Sequence, residues 1–492
     1  MPSAEPASVR PGSGLAQPRF ASGLAVRWRI SPETLVFALL LALVLLVPLP
    51  LGSVSQLSWW IIATIVGVLL LVHAGLLLRP NAAIGTKLKP NWPWMAAFIA
   101  AAGWAGLQAT SITPASWSNP LWDAASSVLE TPLRGAISID PFDTVSAMLC
   151  LLAYGGIFWL ALQLSRARRR AEIAFLALTS AGFAYAAYGL SVKFTGEEIV
   201  LWFHKSFYLS SVTSTFINRN NYATYAGLGL ICASGMIIKQ FSGLQLAPAS
   251  WKTRQLRILE ALAGWRCTLL LAWITLVTAL VLTESRGGVL SSFMGLLALM
   301  AAVTASRTLR RRHALMIGII ILLGCGAFAV FSGDQVAERL ASTDLDQEER
   351  PIVYQLAREQ IAREPWLGTG YGTFEEAFRL VQTESVKGHW DRAHNTYLEN
   401  ALELGIPAAV LLTLSAAALF IRCIIGLRKR KRDTIYPAMG VGATVLVACH
   451  ALVDFSLQIP AISATYAFII GVAVAQSWPS GRARKREDAM PY

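Results

Sequence analysis

The sequence predicts an all-α polytopic membrane protein with about 12 transmembrane helices and a long helical loop on the outer face. Three observations predict it. Hydrophobic residues make up 55% of the 492 positions and charged residues only 14%, against roughly 25% charged in soluble domains. The apolar residues fall in blocks of about 17–22, long enough to cross a ~30 Å hydrocarbon core at 1.5 Å per residue. Of the 42 Lys and Arg residues, 30 lie in seven segments between alternate blocks. Such a composition excludes a disordered, collagen-like or soluble globular protein.

Residues 1–33 are Pro-, Ser-, Ala- and Arg-rich and read as a cytoplasmic tail without a cleavable signal peptide, so the first apolar block acts as a signal anchor. Spans are expected at about 35–51, 57–78, 93–110, 144–164, 173–191, 221–238, 267–283, 288–305, 314–332, 405–425, 435–453 and 460–477. Transmembrane helices 1–9 thus occupy 34–332, a loop domain 333–396, helices 10–12 the stretch 397–478, and a second cytoplasmic tail 479–492. The basic segments are 1–33, 79–91, 165–171, 239–266, 306–313, 421–433 and 479–492. With an even number of spans all seven fall on one side, which is therefore cytoplasmic and holds both termini. The net charge of +13 is then a topology signal and not a nucleic-acid surface. Contact of the basic runs with membrane lipid headgroups is secondary. The cysteines Cys150, Cys232, Cys267, Cys325, Cys423 and Cys449 sit in or beside apolar blocks without a CxxC and read as packing residues.

The loop carries 12 acidic and seven basic residues over about 333–393. It is too long to be structureless. Pro351 to Arg363 reads as an amphipathic helix stopped by Pro365, and Thr373 with Glu376 as a capping box before a second helix. A small helical cap on the outer membrane surface is expected. Shorter outer segments lie at 111–143 and 192–220.

Three polar constellations fall at the outer mouth. They are Asn218-Arg219-Asn220-Asn221, Glu284-Ser285-Arg286-Gly287-Gly288, and the run His389 to Asn395, where Thr396 and Glu399 again fit a capping box. Each precedes a helix that runs inward. Each therefore stands at a helix N-terminus, where unpaired N–H groups favour an anion and most naturally a phosphate. Arg219 and Arg286 suit this because a planar guanidinium can bond two phosphate oxygens, and both are expected to have partners. Singly, each has a plainer reading. Arg219 could anchor a helix end in headgroups, Arg286 could pair with Glu284, and His394 could be a capping or core histidine. Asn218, Asn220, Asn395, Arg350 and Arg392 are further candidates for binding. Glu403 could hold His394 or Arg392, or simply be a polar helix residue.

His450 and Asp454 share a face if the helix continues through both, either to set the imidazole or to lock helix packing. Gly368-Thr369-Gly370-Tyr371-Gly372 lacks a preceding strand and is no dinucleotide fingerprint; it reads as a turn or as backbone lining a groove. Trp390, Tyr371 and Phe374 could stack on sugars or pack the cap, while Trp202 and Phe207 read as interfacial belt. No metal-spaced set of ligands and no nucleotide loop is present in the sequence, and no cofactor is expected.

These residues together resemble the O-antigen ligase and O-antigen polymerase superfamily of bacterial envelope glycan transferases. The resemblance runs from about Asn218 to Ser477. It rests on N-R-N-N, on E-S-R-G-G, on the loop with P-W-L-G-T-G-Y-G-T-F, on the run from His394 through Glu403 to Gly405, and on H-x-x-x-D-F from His450 to Phe455. It implies a C-type glycosyltransferase-like fold in the bacterial inner membrane and a periplasmic active site. It also implies an undecaprenyl-diphosphate-linked glycan donor and metal-independent, inverting transfer. The acceptor would be lipid A core for a ligase, or a second lipid-linked glycan for a polymerase of O-antigen or exopolysaccharide. The family's arginines map onto Arg219 and Arg286 and its loop histidine onto His394, with Arg350 a weaker match. A secondary transporter or lipid-linked glycan flippase is the reading from another class. It would favour ionisable groups at mid-membrane rather than at the outer mouth.

Overall fold

The computed structural model describes residues 31–80, 92–242, 265–306, 345–430 and 432–478. The regular secondary structure among these residues is helical apart from one small hairpin, and loops join the helices. The helices are α1 (Pro32–Leu46), α2 (Gln56–Leu77), α3 (Trp92–Gln108), α4 (Leu121–Leu129), α5 (Pro141–Leu164), α6 (Arg168–Thr195), α7 (Arg219–Ser242), α8 (Trp265–Val281) and α9 (Arg286–Ala305). After these come α10 (Leu345–Arg363), α11 (Phe374–Arg379), α12 (Thr396–Leu404), α13 (Ile406–Lys429), α14 (Ile435–His450) and α15 (Pro460–Ala475). The hairpin pairs β1 (Ile199–Val200) with β2 (Phe203–His204), antiparallel.

By length and composition α2, α5, α6, α7, α9 and α13 can each cross a membrane, while α1, α14, α15 and the Cys267–Val281 part of α8 are apolar but shorter. The chain is a multi-pass helical membrane protein. Described helices lie at eleven of the twelve expected spans. The span at 314–332, the arginine run at 310–312, residues 1–30 of the first tail and the whole of the second lie outside the described residues; the first tail's last residues, 31–33, cap and begin α1.

Helix starts follow local chemistry. Ser31, Ser55 and Asp140 cap α1, α2 and α5, each accepting a backbone N–H in the first turn. Pro32 and Pro141 stand at first positions, where a missing N–H is harmless. The buried face of the bundle joins α5 to α15, α7 to α8, and α9 to α14. Small residues permit the closest approach: a Cβ built on Gly227 would lie 2.2 Å from Ser292 Oγ, and one on Gly295 2.8 Å from the Gly442 carbonyl.

A cap of α10, α11 and α12 covers one end of the bundle. Its own core comprises Val353, Ala357, Phe374, Ala377, Phe378, Val386, Trp390, Ala393 and Leu402. Phe374 and Trp390 are thus packing residues of the cap, and Phe374 stacks on Phe378. At the opposite end basic side chains gather. Lys239 pairs with Glu172 at 2.6 Å, Arg168 with Asp433 at 3.3 Å, and Arg166 donates to the Ala475 carbonyl at the end of α15.

Four local expectations are corrected. The first cap helix starts at Leu345, and Pro351 lies inside it. Thr373 makes no side-chain cap; its hydroxyl donates back to the Gly370 carbonyl, and the Phe374 N–H is taken by Glu403 Oε1 at 3.0 Å. Asn395, not Thr396, caps α12, accepting the Leu398 N–H at 3.0 Å. That helix also breaks from α13 at Gly405, whose φ is +75° and whose Cβ position would lie 2.4 Å from the Trp366 carbonyl.

Candidate active site at the capped end

Arg219 opens α7. Its Nη1 lies 3.6 Å from Glu284 Oε2, and Ser211 Oγ stands between them, donating to Glu284 at 3.1 Å and accepting from Arg219 at 3.4 Å. The guanidinium also covers the Tyr208 ring at 5.2 Å. Asn218 supports the same turn, donating to the Tyr208 hydroxyl and accepting the Asn220 N–H at 2.8 Å. The carboxylate of Glu284 therefore serves Arg219 and not Arg286. Arg286 is exposed and makes no hydrogen bond or ion pair among the described residues. The expectation that both arginines are partnered holds for Arg219 alone.

Ser285 caps α9 through the Gly288 N–H at 3.1 Å. The two glycines after Arg286 let this helix start settle on its neighbours. A Cβ on Gly288 would lie 2.4 Å from Ala223 Cβ in α7, and one on Gly287 3.2 Å from both His450 Nε2 and Val453 Cγ2. The arginine is thereby held beside the turn that follows α14.

That turn, residues 450–456, is where the elements meet. α14 stops at His450, so Asp454 is not one helical turn on along the same face. Ser456 joins them instead: its Oγ lies 3.2 Å from His450 Nδ1, 3.2 Å from Asp454 Oδ1 and 3.1 Å from Asn221 Oδ1, and its single proton goes to one of these acceptors. Thr224 Oγ1 lies 2.5 Å from the same His450 nitrogen. His450 and Asp454 are both buried. The carbonyls of Leu452 and Val453 reach the other way, accepting from Asn395 Nδ2 at 3.0 Å and Arg350 Nη1 at 3.2 Å.

Arg350 Nη2 lies 3.2 Å from His394 Nδ1. The His394 ring sits edge-on between Trp390 and Phe455, with centroids 5.5 and 4.8 Å away, and its carbonyl accepts the Tyr354 hydroxyl at 2.9 Å. His394 and Glu284 both adopt left-handed backbone, φ +52° and +58°, each two residues before a helix start. Such strain in non-glycine residues persists only where surrounding contacts over-determine it. Next to Arg350, Glu349 clasps the loop that carries Trp390, accepting N–H groups from Lys387 at 3.0 Å and from Gly388 and Trp390 at 3.2 Å. The Lys387 N–H above all holds the Glu349 carboxyl below the usual carboxylate range, against the opposing cost of desolvation.

Arg392 and Glu403 belong to a different cluster, inside the cap. Arg392 Nη1 pairs with Glu399 at 3.2 Å, whose other oxygen accepts the Ala393 N–H at 2.9 Å. Burial pushes the Glu403 carboxyl up to about 8, Glu399 adds to the shift, and Arg392 with the Gly372 and Phe374 N–H groups opposes it. Both residues have internal partners. The glycine run is similarly consumed by packing: Thr369 and Gly370 donate to the Leu402 and Glu403 carbonyls, and a Cβ on Gly370 would meet Ser138 Oγ at 2.4 Å.

Beside α12 lies an apolar cavity of about 760 Å³ between α3, α5, α13, α14 and α15. Thr396, Tyr397, Asn400 and Gln458 supply polar lining. No group of three or more His, Cys, Asp and Glu side chains among the described residues could hold a metal ion. Sequence reasoning passed over Thr224, Asn221 and Ser456, and offered Glu284 to Arg286 rather than to Arg219. Glu284 and Asn221 stand inside the motifs that it quoted, but their roles depend on contacts between helices.

One comparison bears on what this arrangement does. Residues 270–413 match the O-antigen ligase family. The matched segment takes in Arg286, Arg350, Arg392, His394, Asn395 and Glu403, while Arg219 and the 450–456 turn lie outside it. It covers less than a third of the chain. No curated protein matches the chain.

Proposed function

We propose that this protein is an O-antigen ligase-type glycosyltransferase of the bacterial inner membrane. In this reading it moves a glycan from undecaprenyl diphosphate to a hydroxyl of lipid A core or a similar acceptor at the periplasmic face. The reading takes the chain as twelve spans with both termini cytoplasmic and a C-type glycosyltransferase-like fold. The observation that carries it is the convergence of three helix starts, those of α7, α9 and α12, on the 450–456 turn, with Arg219, Arg286 and His394 at or beside them. Three N-termini and two arginines in one place are what a diphosphate needs. Polar capacity is left over there too: Arg219 Nε, Arg350 Nε and Asp454 Oδ2 are buried without a hydrogen-bond partner.

The acceptor oxygen attacks the anomeric carbon, and the bond from that carbon to the phosphate oxygen breaks. A single displacement inverts the configuration. Arg219 and Arg286 offset the charge that develops on the departing undecaprenyl diphosphate. The acceptor proton leaves through His394 or to the phosphate. The apolar cavity beside α12 offers room for the hydrocarbon part of a lipid-linked substrate.

The test uses the purified protein in liposomes with a native undecaprenyl diphosphate oligosaccharide. Transfer that requires lipid A core and is lost in His394→Ala supports the ligase reading. A ladder from donor alone replaces it with a polymerase joining two carrier-linked glycans. Movement of donor across the bilayer without a transfer product replaces it with a flippase.

A further inference from the structure

A second pocket adjoins the Arg219–Glu284 pair and has no part in the reaction as described so far. It encloses about 280 Å³ between the end of α6 and residues 196–214. Ser211 lines it and is the residue whose hydroxyl bridges Arg219 and Glu284, so the pocket and the arginine share a wall. Two ammonium groups reach into its lining loop. Lys193 donates to the Ser210 carbonyl. Lys205 donates to the Ser211 carbonyl at 3.0 Å and pairs with Glu198 at 3.1 Å, whose other oxygen accepts the Ser210 N–H at 3.0 Å.

The loop is strained as well as braced. Leu201, Tyr208, Ser210 and Ser214 all have left-handed backbone, with φ from +50° to +66°. Four such residues in so short a stretch mark a conformation held for a purpose other than chain economy.

We propose that this pocket is a saccharide subsite, which holds the sugar ring bonded to the diphosphate of the donor. The proposal rests on the glycosyltransferase reading and deepens it, because that ring carries the anomeric carbon where transfer occurs. The lining chemistry selects a polyol over a second anion. Lys193 and Lys205 are balanced by Glu197 and Glu198, so the pocket offers donors and acceptors in equal measure. An ammonium has three N–H donors, and the brace uses one on Lys193 and two on Lys205. Glu197 is exposed and makes no hydrogen bond or ion pair among the described residues, which leaves its carboxylate for sugar hydroxyls. Phe194, 73% exposed, adds an apolar face to the wall. The space accommodates one monosaccharide ring and no chain, and a diphosphate on Arg219 places its first sugar there.

The experiment measures binding to the full chain in nanodiscs. The probes are bare undecaprenyl diphosphate and the same carrier bearing one hexose, one N-acetylhexosamine or one hexuronic acid. The wild type is expected to bind at least one sugar-bearing carrier more tightly than the bare one. Lys193→Met and Glu197→Gln should each lower that preference about tenfold and leave bare-carrier binding unchanged. Glu197→Gln removes no structural contact, so it keeps the test sound if Lys193→Met disturbs the loop. Variants that retain the wild-type preference, or a wild type that binds bare and sugar-bearing carriers equally, overturn the subsite alone. A wild type that binds no carrier overturns the glycosyltransferase reading and the subsite with it.

Discussion

Arg350 Nη2 stands 3.2 Å from Nδ1 of His394. A guanidinium has no acceptor, so Nδ1 must be the lone-pair nitrogen and the neutral imidazole carries its proton on Nε2. In this state His394 offers a hydrogen-bond donor to an acceptor or phosphate oxygen through Nε2. Taking a proton at Nδ1 requires the Arg350 contact to part. Arg350→Ala should therefore lower kcat about tenfold to a hundredfold with a small change in KM. It should also alter the pH profile of kcat, because the tautomer is no longer held. Steady-state transfer assays across pH check both.

The Arg219–Glu284 pair and the lone Arg286 differ in what they should do when changed. Arg219→Ala and Arg286→Ala are each expected to cost about 10²- to 10³-fold in kcat, as for loss of one oxyanion donor. Arg286→Lys should recover only part of this, since an ammonium cannot bond two phosphate oxygens in a plane. Glu284→Gln keeps the shape of the turn but frees Arg219 from its carboxylate, and should change KM for the donor more than kcat. Radiolabelled donor turnover in liposomes separates these outcomes.

Glu403 gives a pH dependence with a definite sign. Its carboxyl in the folded protein is raised to about 8, above the ordinary carboxylate value. The stability that it contributes is full below the unfolded value and is lost as pH rises through the folded one. The cap should thus resist unfolding better near pH 5 than near pH 8. Glu403→Gln retains an acceptor for the Phe374 N–H and should flatten that part of the profile. Limited proteolysis of the cap against pH measures it.

Gly368 and Gly370 fasten α12 to the bundle. Their φ values are +72° and +109°, and a Cβ on Gly368 would lie 2.2 Å from the Glu403 carbonyl. Gly368→Ala or Gly370→Ala is expected to destabilise the cap by about 1–3 kcal/mol from backbone strain, with the steric clash in addition. A drop in thermal stability of the detergent-purified protein, with the spanning helices still helical by circular dichroism, is the expected result.

Much of this is legible in the sequence alone. Hydropathy places the spans because a helix in lipid must satisfy its own backbone and present apolar side chains along its whole length. The starts of α7, α9 and α12 were legible because the polar runs at 218–221, 284–288 and 389–395 interrupt apolar sequence directly before it resumes. Capping was less legible. Asn395 and Ser285 cap through bonds three residues long, as local chemistry allows. Thr373 has the right neighbours in sequence and yet is not the cap, because Glu403 arrives from another helix with a better acceptor.

The sequence by itself determined a multi-pass helical protein, a helical cap and three polar helix starts. Each is decided within a few residues or by composition over one span. Only the tertiary structure decided the partners. Glu284 goes to Arg219 and leaves Arg286 open. Thr224 meets His450 across 226 positions of chain. Arg392 and Glu403 turn into the cap rather than the site. Helical spacing relates residues only while one helix lasts, and α14 ends at His450. Beyond that point the neighbours of a side chain are set by which helices pack together, and packing follows from shape along whole surfaces rather than from any short motif.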